Sequence, residues 1–148
     1  MIDEIDKQIL NLLRDNARIS NAEIAKRIEK APSAVLERIR KLEKKGIIEG
    51  YETRINSKTL GLNLKTIVLI KTDENVGSMG LGDQLAKIDE VQEVLCMAGE
   101  YSYLCKVNVK DTDDQAKFLV KLGAIPGVVD SITTLVLKSI KEELSVKI

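Results

Sequence analysis

Residues 20–46 read Ser20-Asn21-Ala22-Glu23-Ile24-Ala25-Lys26-Arg27-Ile28-Glu29-Lys30-Ala31-Pro32-Ser33-Ala34-Val35-Leu36-Glu37-Arg38-Ile39-Arg40-Lys41-Leu42-Glu43-Lys44-Lys45-Gly46. A serine followed three residues later by a glutamate, here Ser20 and Glu23, is a capping box and starts a helix. Ile24, Ala25 and Ile28 give that helix one apolar face. A break of a few residues follows. Pro32 then stands where the first turn of another helix tolerates proline. Val35, Leu36, Ile39 and Leu42 form the apolar stripe of this helix, and Gly46 fits a left-handed C-terminal cap. Upstream, Ile2, Ile5, Ile9, Leu12 and Leu13 recur at helical spacing and predict a first helix ending near Asn16. Two short helices joined by a tight turn, with a third behind them, make a helix-turn-helix, here of winged-helix-like type.

Opposite Val35, Ile39 and Leu42, the last helix carries Ser33, Ala34, Glu37, Arg38, Lys41 and Lys44, with Arg40 on its flank. A helix entering the DNA major groove needs short side chains near its N-terminus, so that its backbone can approach the bases. It needs long donors further along for guanine edges and phosphates. This face offers both. Arg38 is the expected base reader. Lys41, Lys44 and Arg40 are expected on phosphates, and Glu37 on a cytosine edge or orienting Arg38. Ser20 and Asn21, at the start of the preceding helix, complete the expected contact set. The charge pattern agrees. The chain is neutral overall, yet the window from Lys26 to Lys45 is +5 and the remainder −5. A local basic surface on an acidic background suits a polyanionic partner at one place. The same charges would also suit the solvated face of an ordinary three-helix bundle; cap, break, proline and basic face in this order favour double-stranded DNA. Two positions run against the pattern. Ala31 stands at the N-cap, where a hydroxyl would contribute on the order of 1 kcal/mol. The turn at Glu29 and Lys30 lacks a glycine, and a left-handed residue there would cost roughly 1 kcal/mol.

Beyond Gly46 the pattern changes. Ile47 to Ile55 partly alternates and predicts a strand leaving the helical unit. Asn56 to Asn63, with Ser57 and Gly61, reads as a loop. This divides the chain into residues 1–47, a linker over 48–63, and a second domain over 64–148. In that domain Leu64 to Thr72 is a β-branched strand. Leu81, Leu85 and Ile88 predict a short helix, with Gly77, Gly80 and Gly82 weakening its start. Strands follow at Val91 to Ala98 and Tyr103 to Lys110. Asp111 and Asp114 open a helix with Ala116, Leu119 and Leu122 inward, and Val128 to Lys138 is the last strand. The order β-α-β-β-α-β is the ferredoxin-like unit, and the chain as a whole is α+β.

Several function classes lack their residues. There is no histidine, the commonest acid-base group and metal ligand. Two cysteines without it, Cys96 and Cys105, are expected as buried, reduced thiols, with no metal site and no cofactor. The glycines near position 80 fit no phosphate-binding or dinucleotide spacing. The sheet has few aromatics near its centre for stacking RNA bases. The longest apolar run, Ile67 to Ile70, is far too short to cross a bilayer. The acidic, amphipathic start does not read as a signal peptide. A cytoplasmic protein without a membrane partner is expected.

Taken together, these residues resemble the Lrp/AsnC family, the leucine-responsive or feast/famine regulators of bacteria and archaea. The resemblance rests on Asp3-Glu4-Ile5-Asp6, on Arg18 to Ala25, and on Leu36 to Tyr51. It continues through Leu60-Gly61, Gly99 to Leu104 and Ile125-Pro126-Gly127-Val128. It implies a sequence-specific transcriptional regulator that dimerises through its C-terminal sheets, often forms octamers, and binds pseudo-palindromic DNA. It also implies a small-molecule effector, usually an amino acid, held between subunits. The matching positions are Gly99, Glu100, Tyr101, Ser102 and Tyr103 on the turn after the second strand, and Ser131 and Thr133 on the fourth. The chain departs from the family at Ser102, where an aspartate is usual. A hydroxyl is a weaker partner than a carboxylate for an ammonium group. Ala31, Ala34 and Glu29 replace the usual serine, proline and glycine. Sirohaem decarboxylases share the architecture, but their chemistry leans on histidine and arginine, and only Arg54 lies beyond the first forty residues. No enzyme activity is expected.

Overall fold

The computed structural model describes residues 2–75, 77–143 and 145–148. They form two compact units, Met1–Arg54 with Lys141–Ile148, and Ile55–Ile140.

In the first unit, α1 spans Glu4–Asp15, α2 Asn21–Arg27 and α3 Pro32–Lys44. Asp3 and Asp6 open α1 reciprocally: the Asp6 N–H donates to Asp3 Oδ1 (2.8 Å) and the Asp3 N–H to Asp6 Oδ2 (3.2 Å). Ser20 caps α2 by accepting the Glu23 N–H at 3.1 Å. The Glu23 carboxylate pairs with Arg27 (2.8 Å). Ala31 caps α3 with no side-chain bond. Gly46, at φ +67°, ends α3 in a Schellman arrangement, with the Ile47 N–H on the Leu42 carbonyl and the Gly46 N–H on the Glu43 carbonyl. Ile9, Ile24, Ala25, Val35, Ile39 and Leu42 meet as one buried core. The α2–α3 turn uses the same capping geometry on a glutamate: Glu29 sits at φ +54° and the Lys30 N–H reaches the Ala25 carbonyl (2.9 Å).

The strand expected over Ile47 to Ile55 does not form. An extended segment becomes a strand only when a neighbouring backbone supplies its ladder bonds, and no ladder involves these residues. Instead, the Tyr51 hydroxyl donates to Glu43 on α3 (2.9 Å).

The second unit holds β1 (Leu64–Thr72), α4 (Gly80–Leu85), β2 (Val91–Cys96), β3 (Tyr103–Val109), α5 (Thr112–Gly123) and β4 (Val128–Leu135). The strands are antiparallel in the order β2-β3-β1-β4, the ferredoxin-like order. Strands β2, β3 and β4 stop short of the expected Ala98, Lys110 and Lys138. The inner face carries Val68, Ile70, Tyr103, Cys105 and Val107, buried against Leu81, Leu85, Phe118 and Leu122. Helix α5 is rotated from expectation. Its inward residues are Gln115, Phe118 and Leu122, whereas Ala116 and Leu119 are exposed. Gln115 escapes an apolar-spacing argument because it is polar; it is buried because Thr66 Oγ1 donates to its Oε1 at 2.9 Å. Cys105 is buried as expected, but Cys96 is exposed, at the end of an edge strand.

The outer face has its own order. Leu95 on β2 pairs with Leu104 on β3, Leu104 with Leu69 on β1, and Leu69 with Ile132 on β4. Because side chains alternate along a strand, these form an apolar row on the side away from Val68 and Ile70. Leu95 and Ile132 are 45% and 44% exposed.

The units divide at Arg54 and Ile55, inside the expected linker of 48–63. Residues Lys141–Ile148, expected with the sheet, cluster with the helices. There the Asn11 side-chain amide donates to the Ile148 carbonyl at 2.7 Å.

Candidate functional site

Helix α3 projects its outer face from a core closed by α1 and α2. Burying Val35, Ile39 and Leu42 leaves Ser33, Ala34, Glu37, Arg40, Lys41 and Lys44 exposed. Two short residues thus lie near the helix start and three cations further along. Lys41 is paired one turn back with Glu37 at 2.7 Å, and this contact holds the Glu37 carboxyl below its ordinary range. Ser20 is exposed, with its hydroxyl engaged in capping α2; Asn21 beside it is half-buried.

Arg38 is placed differently from the rest. Its side chain is 33% exposed, and its Nη1 donates to Asp3 Oδ2 (2.7 Å) and Asp6 Oδ1 (2.8 Å). The guanidinium faces the first turn of α1, not the outer face where a base reader belongs. Asp3 is held below the usual carboxylate range, first by the Asp6 N–H and then by Arg38. Sequence reasoning missed the aspartates as partners of Arg38. Two signals were present: the Asp3-x-x-Asp6 spacing, and the position of Arg38 one turn from both Val35 and Leu42 on the edge of the buried stripe.

The second candidate lies at one end of the sheet. The turn from Met97 to Ser102 is closed by the Met97 N–H on the Ser102 carbonyl (2.8 Å). It is tied to β1 by the Ser102 N–H on the Ile70 carbonyl (2.9 Å). The Ser102 hydroxyl accepts from Thr72 Oγ1 at 3.2 Å, and Glu100 pairs with Lys71 at 3.2 Å. Gly99 is left-handed and Tyr101 half-buried. The register Tyr103–Ile70–Ser131 sets the turn and the fourth-strand serine at the same end. Thr133 lies two residues along, beside Val68.

Tyr103 is not a free group of this turn. It is 1% exposed, and its hydroxyl donates to Glu74 Oε2 at 2.8 Å. Burial, then the Glu74 carboxylate, push the phenol up to about 12. Glu74 also accepts the Leu81 N–H (2.9 Å), and so stands in for the missing side-chain cap of α4. Gly82 lies on the Tyr103 ring, where a Cβ would approach Cε1 to 2.9 Å; that contact requires the glycine which made the helix look weak in sequence. Glu74, Thr72 and Lys71 carried no signal of their own. Among the described residues, no three His, Cys, Asp or Glu side chains are grouped to hold a metal ion.

Comparison with known proteins bears on both places. Residues 2–49 match the family model for winged helix-turn-helix DNA-binding domains, and residues 65–146 that for the Lrp/AsnC ligand binding domain. The leucine-responsive regulatory proteins of Salmonella typhimurium and Escherichia coli are 36% identical to this chain over 146 residues, covering 95% of it and 88% of theirs. Among solved structures, a Neisseria meningitidis transcriptional regulator in complex with L-Met superposes with a TM-score of 0.92 at 27% identity, over 99% of this chain and 96% of that one. AsnC of Escherichia coli gives a TM-score of 0.89 at 28% identity, over 99% of both chains.

Proposed function

The chain belongs to the Lrp/AsnC family of transcriptional regulators, and we propose on that footing that it reads double-stranded DNA with α3 and answers to an amino acid bound at the turn end of its C-terminal sheet. The observation that carries the DNA reading is the outer face of α3. Ser33 and Ala34 permit close backbone approach. Glu37 is assigned to a base edge, where a carboxylate accepts from a cytosine amino group, and Lys41 to a phosphate. Arg40 and Lys44 are assigned to phosphates, with Ser20 and Asn21 at the start of α2. Arg38, engaged by Asp3 and Asp6, is given no base. Selection of duplexes from a random-sequence pool tests this reading. Recovery of one enriched, two-fold-related motif supports it; binding with no sequence preference overturns it.

The outer row Leu95–Leu104–Leu69–Ile132 supports self-association through the sheets. A two-fold dimer would present two copies of α3 and so favour pseudo-palindromic DNA; octamers would be built from such dimers. No helix among the described residues is long and apolar enough to cross a membrane, and a DNA reader works in the cytoplasm of a cell without a nucleus.

The effector reading rests on the Lrp/AsnC ligand-binding match and on similar structures solved with L-methionine. A second reading, a regulator with no amino-acid effector, is favoured by the turn itself. Ser102 replaces the usual acid and is engaged by Thr72, while Glu100 is engaged by Lys71. Thermal shift against the twenty amino acids separates the two. A ligand at about a hundredfold excess over its Kd raises stability by about 2.7 kcal/mol. A shift with one or a few amino acids supports the effector; none at millimolar concentration supports the second reading.

A further inference from the structure

The contact between Arg38 and the first turn of α1 is built more elaborately than helix packing requires. One guanidinium nitrogen bridges two carboxylates from different residues, at 2.7 and 2.8 Å. Those carboxylates are also the reciprocal caps of α1. Asp6 is the more enclosed of the two, its side chain 15% exposed. The three side chains therefore fix two relationships at once: where α1 begins, and how far α3 is turned about its own axis against it. Apolar contact alone constrains that rotation weakly. Val35, Ile39 and Leu42 are aliphatic side chains on one stripe, and aliphatic packing is non-directional. At the N-terminal end of α3, Ala31 makes no side-chain cap. A charge-assisted bridge has the directionality the stripe lacks.

We propose that Asp3 and Asp6 are positioning residues for DNA recognition: through Arg38 they set the rotation of α3, and thereby the sequence discrimination of its outer face, without touching DNA. This rests on the reading of α3 as the recognition helix. A second consequence is electrostatic. Arg38 is a cation withheld from DNA by two carboxylates at its tip. Releasing it, while removing two negative charges from the same unit, favours any phosphate backbone regardless of sequence.

The test uses the full-length protein, a duplex selected on it from a random-sequence pool, and a random-sequence duplex of equal length. Asp3→Asn with Asp6→Asn keeps the shape of both side chains and removes the charges. The expected result is a fall of about tenfold in the ratio of selected-duplex to random-duplex affinity. Random-duplex affinity holds or rises. Amide hydrogen exchange within α3 quickens while circular dichroism stays that of the wild type. Arg38→Met lowers the ratio to the same extent, and the triple variant is no worse than Arg38→Met alone, because the three side chains act as one unit. Arg38→Lys, whose single ammonium can still bridge both carboxylates, restores part of the ratio. A ratio within about twofold of wild type in a folded Asn/Asn variant overturns the inference, as does a parallel loss on both duplexes, the mark of a merely structural role. A wild-type protein with no sequence preference overturns the DNA reading together with it. Failure of the inference alone is seen when wild type discriminates and the variant does so equally.

Discussion

Thr66 on β1 and Gln115 on α5 form a buried side-chain hydrogen bond of 2.9 Å, fixing the helix to the sheet at a point where apolar contact would be expected. The Gln115 Nε2 already lacks a partner among the described residues. Thr66→Val therefore leaves both polar atoms of the amide unmet and is expected to destabilise the protein by about 1–3 kcal/mol. Adding Gln115→Leu should recover most of that loss, since removing both partners of a buried pair is nearly neutral. Urea unfolding of the single and double variants measures it. Equal stability of wild type and Thr66→Val would dismiss the bond as a stabilising contact.

Glu29 holds the left-handed position that ends α2. Glycine there removes the clash of a Cβ with the following carbonyl. Glu29→Gly should stabilise the helical unit by up to about 1 kcal/mol, read as a higher urea midpoint at unchanged slope. A lower midpoint would mean that the glutamate side chain contributes more than its backbone conformation costs.

Tyr103 and Glu74 give the protein one sensitivity at each end of the pH scale. Tyr103 is raised from its ordinary 10.0 to about 12. A group whose folded pKa is raised contributes stability that is complete below pH 10 and lost as pH climbs toward 12. Glu74 is lowered, chiefly by the Tyr103 hydroxyl, so its contribution is present above the ordinary carboxylate pKa and lost as pH falls through the lowered value. Tyr103→Phe should flatten both limbs of a stability–pH profile. A profile that moves only on the alkaline side would mean that Glu74 is held by its other partners.

Lys44 stands on the outer face near the end of α3, unobstructed by the α1 contact that engages Arg38. Lys44→Ala should weaken binding to selected and random duplexes alike and reduce the slope of log affinity against log salt by about 0.9. An unchanged slope in a titration from low to moderate salt removes Lys44 from the phosphate contacts.

Leu104 is one of the two central members of the outer row on the sheet. Leu104→Asp places a charge where two sheets would meet, and sedimentation should show a smaller species with unchanged circular dichroism. Retention of the wild-type sedimentation coefficient would mean that assembly uses another surface.

How much of this was legible in the sequence depended on whether neighbours along the chain or across space fix a residue. The bounds of β1, Leu64 to Thr72, could be read directly because alternation and β-branching are local. The start and stop of α3 were legible because Pro32 and Gly46 act on their own backbone. The rest failed where tertiary partners decide. Arg38 lies on the boundary of a wheel, and only the arrival of α1 turns it inward. Gln115 is polar, so no hydrophobic pattern places it in a core, and α5 was consequently misphased. Tyr103 was legible as the first residue of β3, but the seat of its ring beneath Gly82 was not. The segment after Gly46 has strand-like residues and no ladder partner among the described residues.

The two units each close an apolar core of their own, one around Ile9 and Val35, the other around Val68 and Phe118. The joint at Arg54 and Ile55 offers a seam for a chimera that combines this helical head with a foreign sensor, or the reverse. Yet the last eight residues return to the head, where Asn11 holds the Ile148 carbonyl. A single crossover at the seam would divide the head into two parental halves. Swapping specificities in this scaffold therefore takes two cuts, and a natural recombinant made by one would carry a mismatched tail against its first helix.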